Sequence, residues 1–149
     1  MKKIQLINIA ERGNTLGIKS LFLFPGFPVL GNKGRIVRLG DDVLQREQIQ
    51  SILQETTSPW QLQQFTEKKE LDYSYDLDRA GRYRVCAFLR MGMEGLVLRP
   101  VPLKPPEFDS LGLPHVLKSF AGVREGLVLV TGPSGSGKST TIASLLDII

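Results

Sequence analysis

An apolar run, Gly126-Leu127-Val128-Leu129-Val130-Thr131, leads straight into Gly132-Pro133-Ser134-Gly135-Ser136-Gly137-Lys138-Ser139, and the residues that follow read as a helix to Ile149. A continuous apolar strand of this kind suits burial on both faces of a parallel sheet. Strand, G-x-x-x-x-G-K-S and helix, in that order, are the context in which the pattern acts as a P-loop. The glycines let backbone N–H groups converge on a phosphate without Cβ clashes. The positive end of the following helix adds to the attraction. In such a loop Lys138 reaches the β- and γ-phosphates of a nucleotide, the Ser139 hydroxyl ligates Mg²⁺, and Thr140 bonds an α-phosphate oxygen.

Binding is not turnover. A motor ATPase also needs an acidic residue at the end of another core strand, to hold Mg²⁺ and polarise water. It needs a complete parallel sheet to place both. From Gly126 to Ile149 there are 24 residues, far short of a full P-loop domain. The expectation is that those parts lie beyond Ile149, so that this chain binds nucleotide without hydrolysing it.

The rest of the composition narrows the class. With 149 residues, 42% hydrophobic and 23% charged, the chain suits one soluble domain with a piece of a second. No apolar run approaches the ~20 residues needed to span a bilayer. The start, Met1 to Ala10, lacks the unbroken apolar core of a signal peptide, so export is not expected. Cys86 is the only cysteine, which excludes an intrachain disulfide and a thiolate cluster. It sits in Val85-Cys86-Ala87-Phe88 and reads as a small core residue. His115 is also alone and reads as a surface or helix-start residue. The net charge of +4 is spread out. Without a basic stripe holding stacking aromatics, no nucleic-acid partner is expected.

Upstream of the P-loop the chain reads as mixed helix and antiparallel strand. The stretch to Gly17 carries no clear pattern. Ile18 to Phe24 reads as a strand, broken by Pro25-Gly26-Phe27-Pro28. Val29-Leu30 and Arg35 to Leu39 flank Gly31-Asn32-Lys33-Gly34, which is hairpin chemistry. Asp41 or Asp42 offers a helix cap ahead of Val43, Ile49, Ile52 and Leu53. Ser58-Pro59 opens a second helix whose Trp60, Leu62 and Phe65 suit one buried side. Leu71 to Leu77 alternates, Asp78 to Gly81 turns, and Arg82 to Arg90 is the next strand. Gly92 to Gly95 turns the chain into Leu96 to Arg99, completing a meander. The proline-dense Pro100 to Pro106 reads as a spacer. A short helix from Leu113 to Ala121 follows, started by Pro114.

Taken as an ordered set, four stretches make the chain resemble the secretion ATPase superfamily, the motors of pilus retraction, pilus assembly and type II secretion. Gly126 to Thr141 is close to that family's P-loop, including the paired threonines Thr140 and Thr141. Asp72-Tyr73-Ser74-Tyr75 resembles its D-x-S-Y/F strand. Arg82-Tyr83-Arg84-Val85 with Arg99-Pro100-Val101-Pro102 resembles its R-F-R-V-N and R-x-I-P pair. Leu111-Gly112-Leu113-Pro114 resembles the L-G-L-P that opens its catalytic half.

The resemblance implies an α+β chain. A PAS-like antiparallel-sheet domain with helices over 1–103 and a linker over 104–112 precede the first strand, P-loop and helix of a RecA-like domain over 113–149. It implies ATP and Mg²⁺ as cofactors and a homo-hexamer in the full-length parent. It also implies a cytoplasmic location beside an inner-membrane pilus or secretion platform protein. Arg84 and Arg99 match family arginines that approach the phosphates, where a guanidinium neutralises charge developing in the transition state. Two departures stand out. Lys19-Ser20-Leu21-Phe22 lies where retraction motors carry Ser-Asp-x-His, and Cys86 replaces a usual asparagine. The competing reading is a PAS-like docking or regulatory module with an inert P-loop stub. An unrelated P-loop kinase fits less well, given Arg84, Arg99 and Leu111 to Pro114.

Overall fold

The structure, a computed structural model, describes residues 2–149. It divides into two units, Met1–Val101 and Pro102–Ile149. The class is α+β.

In the first unit, period-two alternation builds a six-stranded sheet. The strands are β1 (Ser20–Leu23), β2 (Pro28–Asn32), β3 (Ile36–Val43), β4 (Glu70–Asp76), β5 (Arg82–Arg90) and β6 (Met93–Pro100). Their order is β3-β2-β1-β6-β5-β4, and every pair is antiparallel. Along β5, Tyr83, Val85 and Ala87 are buried while Arg84 and Arg90 are exposed, the signature of a sheet with one covered face. Three helices supply the cover: α1 (Lys2–Thr15), α2 (Arg46–Thr56) and α3 (Pro59–Lys68). Leu6, Ile7, Ala10, Ile49, Ile52, Leu53 and Phe65 from these helices share one core with Leu21, Leu23, Tyr73, Leu96 and Leu98. Thr56, at the end of α2, is buried and lies 2.7 Å from the Tyr73 hydroxyl.

Several local expectations give way to tertiary context. The opening stretch is a helix. Its contact stripe is Leu6, Ile7, Ala10 and Gly13, and a Cβ on Gly13 would sit 3.0 Å from the Leu21 side chain. Asp41 lies within β3, and the Asp42 side chain lies outside the described residues. The α2 helix starts at Arg46, where the Gln48 side chain accepts from the Gln45 N–H at 2.7 Å. Ser58 caps α3 as the Ser-Pro pair predicts, its hydroxyl accepting from Gln61 N–H. Trp60 is not core: it stands 67% exposed at the second position of α3, and Phe65 carries the burial instead. The β5–β6 turn is the two residues Met91-Gly92, at φ 51° and 75°. Gly95 lies within β6, where a Cβ would come within 2.9 Å of the Phe24 and Phe88 rings. Cys86 is half-buried on the sheet face opposite the helices.

In the second unit no strand forms among the described residues. The stretch 126–131 is expected to be a strand but has no partner strand in its unit, and its backbone groups make no hydrogen bond among the described residues. Leu127 and Leu129 are 82% and 74% exposed. Two 3-10 segments, Phe108–Leu111 and His115–Gly122, replace the expected helix from Leu113. His115 opens the second segment and is exposed. The chain's last helix, α4, spans Lys138–Leu146, one turn shorter than expected. Both 3-10 segments pack on α4.

Candidate functional site

The residues of the expected P-loop form one concavity at the start of α4. Ser134, Gly135, Gly137, Lys138, Ser139 and Thr140 line a space of about 270 Å³. Gly132 and Gly137 are the positions where the loop demands glycine. Gly132 has φ 149°, and a Cβ there would lie 2.9 Å from the Ser136 hydroxyl. Gly137 caps α4 at φ 91°, a left-handed conformation that side chains resist. Its carbonyl accepts from Thr141 N–H at 2.9 Å, which opens the helix. The N–H groups of the first turn, on Lys138, Ser139 and Thr140, precede that bond and have no intrahelical acceptor. Lys138 Nζ donates to the Pro133 carbonyl at 2.6 Å, so its ammonium spans the loop. Free helix-start N–H groups and the Lys138 ammonium thus stand together at this concavity, and both attract negative charge.

Arg84 and Arg99 fall in the first unit. They are directly opposite one another in the β5–β6 register. The Arg84 Nη2 donates to Asp72 Oδ2 at 3.0 Å, and Arg99 makes no ion pair among the described residues. With Phe22, Asp72, Cys86 and Val97 they line a groove of about 320 Å³. Like charges placed directly across an antiparallel pair are destabilising, so packing alone does not ask for this arrangement. Burial, helped by the Asp72 carboxylate, pushes the Cys86 thiol up, which leaves it protonated at neutral pH and a poor nucleophile.

Sequence reasoning missed Ser144. It lies on α4 more than a turn and a half beyond the helix start, is 1% exposed, and donates to the Pro106 carbonyl at 2.8 Å. The signal available was a lone hydroxyl amid Ile142, Ala143, Leu145 and Leu146. No described helix is long and apolar enough to cross a membrane, and no described cluster of acidic, His or Cys side chains could hold a metal.

No family model matches the chain. Individual proteins do. It is 36% identical over 134 residues to the type IV pilus retraction ATPase PilT of Pseudomonas aeruginosa, covering 89% of this chain. The crystal structure of the pilus retraction motor PilT with bound ADP superposes with a TM-score of 0.88 at 34% identity, covering 95% of this chain. The chain belongs to the secretion ATPase superfamily. The Legionella pneumophila ATPase DotB, matched across 98% of this chain at 26% identity and a TM-score of 0.74, lies in the same superfamily. The chain spans 39% of the length of the Pseudomonas relative and 42% of each of the two solved structures.

Proposed function

We propose that residues 1–149 are the nucleotide-binding amino-terminal part of a motor ATPase that drives type IV pilus retraction or extension, or type II secretion. The reading rests on one observation. In a chain of this superfamily, a glycine-shaped loop, a spanning lysine and a helix start share one concavity. In this reading the N–H groups from Gly132 to Thr140 and the Lys138 ammonium bind the β- and γ-phosphates. The Ser139 hydroxyl would hold Mg²⁺, which when bound screens the charge between those phosphates. Arg84 and Arg99 would supply the further cations that transition-state charge requires.

The same reading takes 1–103 as a PAS-like domain, 104–112 as linker and 113–149 as the start of a RecA-like domain. The parent would be a cytoplasmic hexamer docked on an inner-membrane platform protein. Residues 1–149 alone bind without turnover in this reading, because among the described residues of the second unit no strand carries a carboxylate to the loop.

Titration of the 149-residue protein with Mg-ATP, followed by NMR, tests it. Lys138→Ala is expected to weaken binding at least about tenfold, the loss of one charge-assisted contact to phosphate. Steady-state phosphate release should not exceed the buffer rate. One observation favours the alternative, a PAS-like docking module with an inert stub: the unpaired, exposed 126–131 segment gives the loop no rigid strand. Identical, negligible binding by wild type and Lys138→Ala would establish that alternative.

A further inference from the structure

The helix that presents the phosphate cradle is short. It has nine residues, and isolated helices below about 12–15 residues are marginal in water. No strand in its unit supports it. What packs on it is the pair of 3-10 segments, Phe108–Leu111 and His115–Gly122. The first of these is itself anchored. Phe108 is 4% exposed, the Lys118 ammonium lies 5.5 Å from its ring, and Lys118 donates to Asp109 at 2.8 Å. One polar bond fastens this support to the helix: the buried Ser144 hydroxyl to the Pro106 carbonyl, bridging 38 residues of sequence.

We propose that Ser144 is a positioning residue, a latch through which the segment 105–111 and the phosphate cradle control one another. The proposal rests on the nucleotide reading above. Bound phosphate requires the first turn of α4 to be ordered, because its free N–H groups are the ligands. An ordered α4 presents Ser144 to Pro106 and closes the latch. Linkage makes the effect mutual: a closed latch preorganises the cradle, and a filled cradle holds 105–111 down. Nucleotide occupancy is thereby written into a segment near the start of the second unit, at a point away from the phosphates.

Ser144→Ala separates a latch from a simple helix effect. Alanine is the stronger helix former, so if only helix propensity mattered the variant would bind Mg-ATP as well as wild type or better. A latch predicts the opposite sign. Binding should weaken on the order of three- to tenfold, because the Pro106 carbonyl loses its donor and α4 its fastening.

The experiment titrates the 149-residue protein with Mg-ATP and records amide hydrogen exchange at Glu107 to Leu111. The Ser110 N–H, which donates to the Glu107 carbonyl at 3.0 Å, is the central reporter. Wild type should show Lys138-dependent binding and slower exchange at these amides with nucleotide. Ser144→Ala should bind more weakly and lose the nucleotide-dependent protection. Lys138-dependent binding that leaves the wild-type exchange unchanged overturns the latch and leaves the nucleotide reading standing. So does a Ser144→Ala protein that binds as tightly as wild type. A wild type that binds no Mg-ATP overturns both. The wild-type exchange measurement needs no variant, so a poorly folded Ser144→Ala protein does not block the decision.

Discussion

The Thr56–Tyr73 contact gives the first unit an asymmetry that mutation can read. Thr56 Oγ1 lies 2.8 Å from the Ile52 carbonyl, which can only accept, so the threonine spends its single proton there. The Tyr73 hydroxyl at 2.7 Å must then donate to Thr56. Both residues are buried, at 6% and 7% exposure. Thr56→Val keeps the shape but leaves a buried phenol with no acceptor, at a cost of about 1–3 kcal/mol. Tyr73→Phe removes the same bond yet leaves Thr56 bonded to Ile52, at a cost of about 0.5–1.5 kcal/mol. Helix propensity hardly changes between threonine and valine, so it does not blur the comparison. Urea unfolding followed by far-UV circular dichroism reads both. With a slope of about 1–3 kcal/mol per molar, Thr56→Val should lower the midpoint by roughly 1 M without altering the slope. The double variant should resemble Tyr73→Phe. If Thr56→Val proves no more costly than Tyr73→Phe, the assigned direction of the bond is wrong.

Three further outcomes follow from packing in the two units. Burial pushes the Tyr73 pKa up from 10.0 to about 12. The folded state therefore keeps a proton that the unfolded state has lost. Stability is full below pH 10 and falls by about 2–3 kcal/mol as the pH rises through 12, a loss that Tyr73→Phe should blunt in alkaline unfolding curves. Gly31→Ala would place a methyl 2.9 Å from two carbons of Ile18 and against Leu39, and thermal denaturation should show a loss of about 1–3 kcal/mol. Leu127→Lys combined with Leu129→Lys should lower the mass seen by light scattering at high concentration, since both leucines are exposed on an unpaired extended segment; a wild type already monomeric there refutes this.

How much the sequence disclosed depended on whether the signal was local. The β5 strand, Arg82–Arg90, was legible to the residue because alternation and a flanking turn bound it on both sides. The Ser58-Pro59 start of α3 was legible because capping is decided within one turn. The first helix was not, since half of its contact stripe is Ala10 and Gly13, which carry almost no hydropathy. Gly95 looked like a turn residue, but it serves two aromatic rings that only the sheet brings together. Trp60 looked like core, but its position at a helix start leaves it outside. The run 126–131 looked like a strand because apolarity reports a wish for burial, whereas a strand also needs a neighbour. At the candidate site, the motif named a loop and a lysine that the structure places around one concavity. For the arginines the sequence offered only a spacing, and their direct opposition came from the register. Ser144 showed only as a lone hydroxyl in an apolar helix, because its partner is a carbonyl distant in sequence.

The strand order has a kinetic consequence. Strands β1, β2 and β3 form one local meander and β4, β5 and β6 another, each closed by short connections or turns apart from the α2–α3 excursion between them. A single seam, β1 against β6, joins the two, pairing Leu21 with Leu98. Closing a loop of that span costs roughly 2–3 kcal/mol more entropy than closing a hairpin. The meanders can form early and separately, so closing the seam is the expected slow step of folding. Weakening Leu21 or Leu98 should therefore slow folding, whereas weakening the outer hairpins should mainly hasten unfolding. Within the sheet the two halves meet at that one strand pairing alone, while α1 and α2 share one core with both.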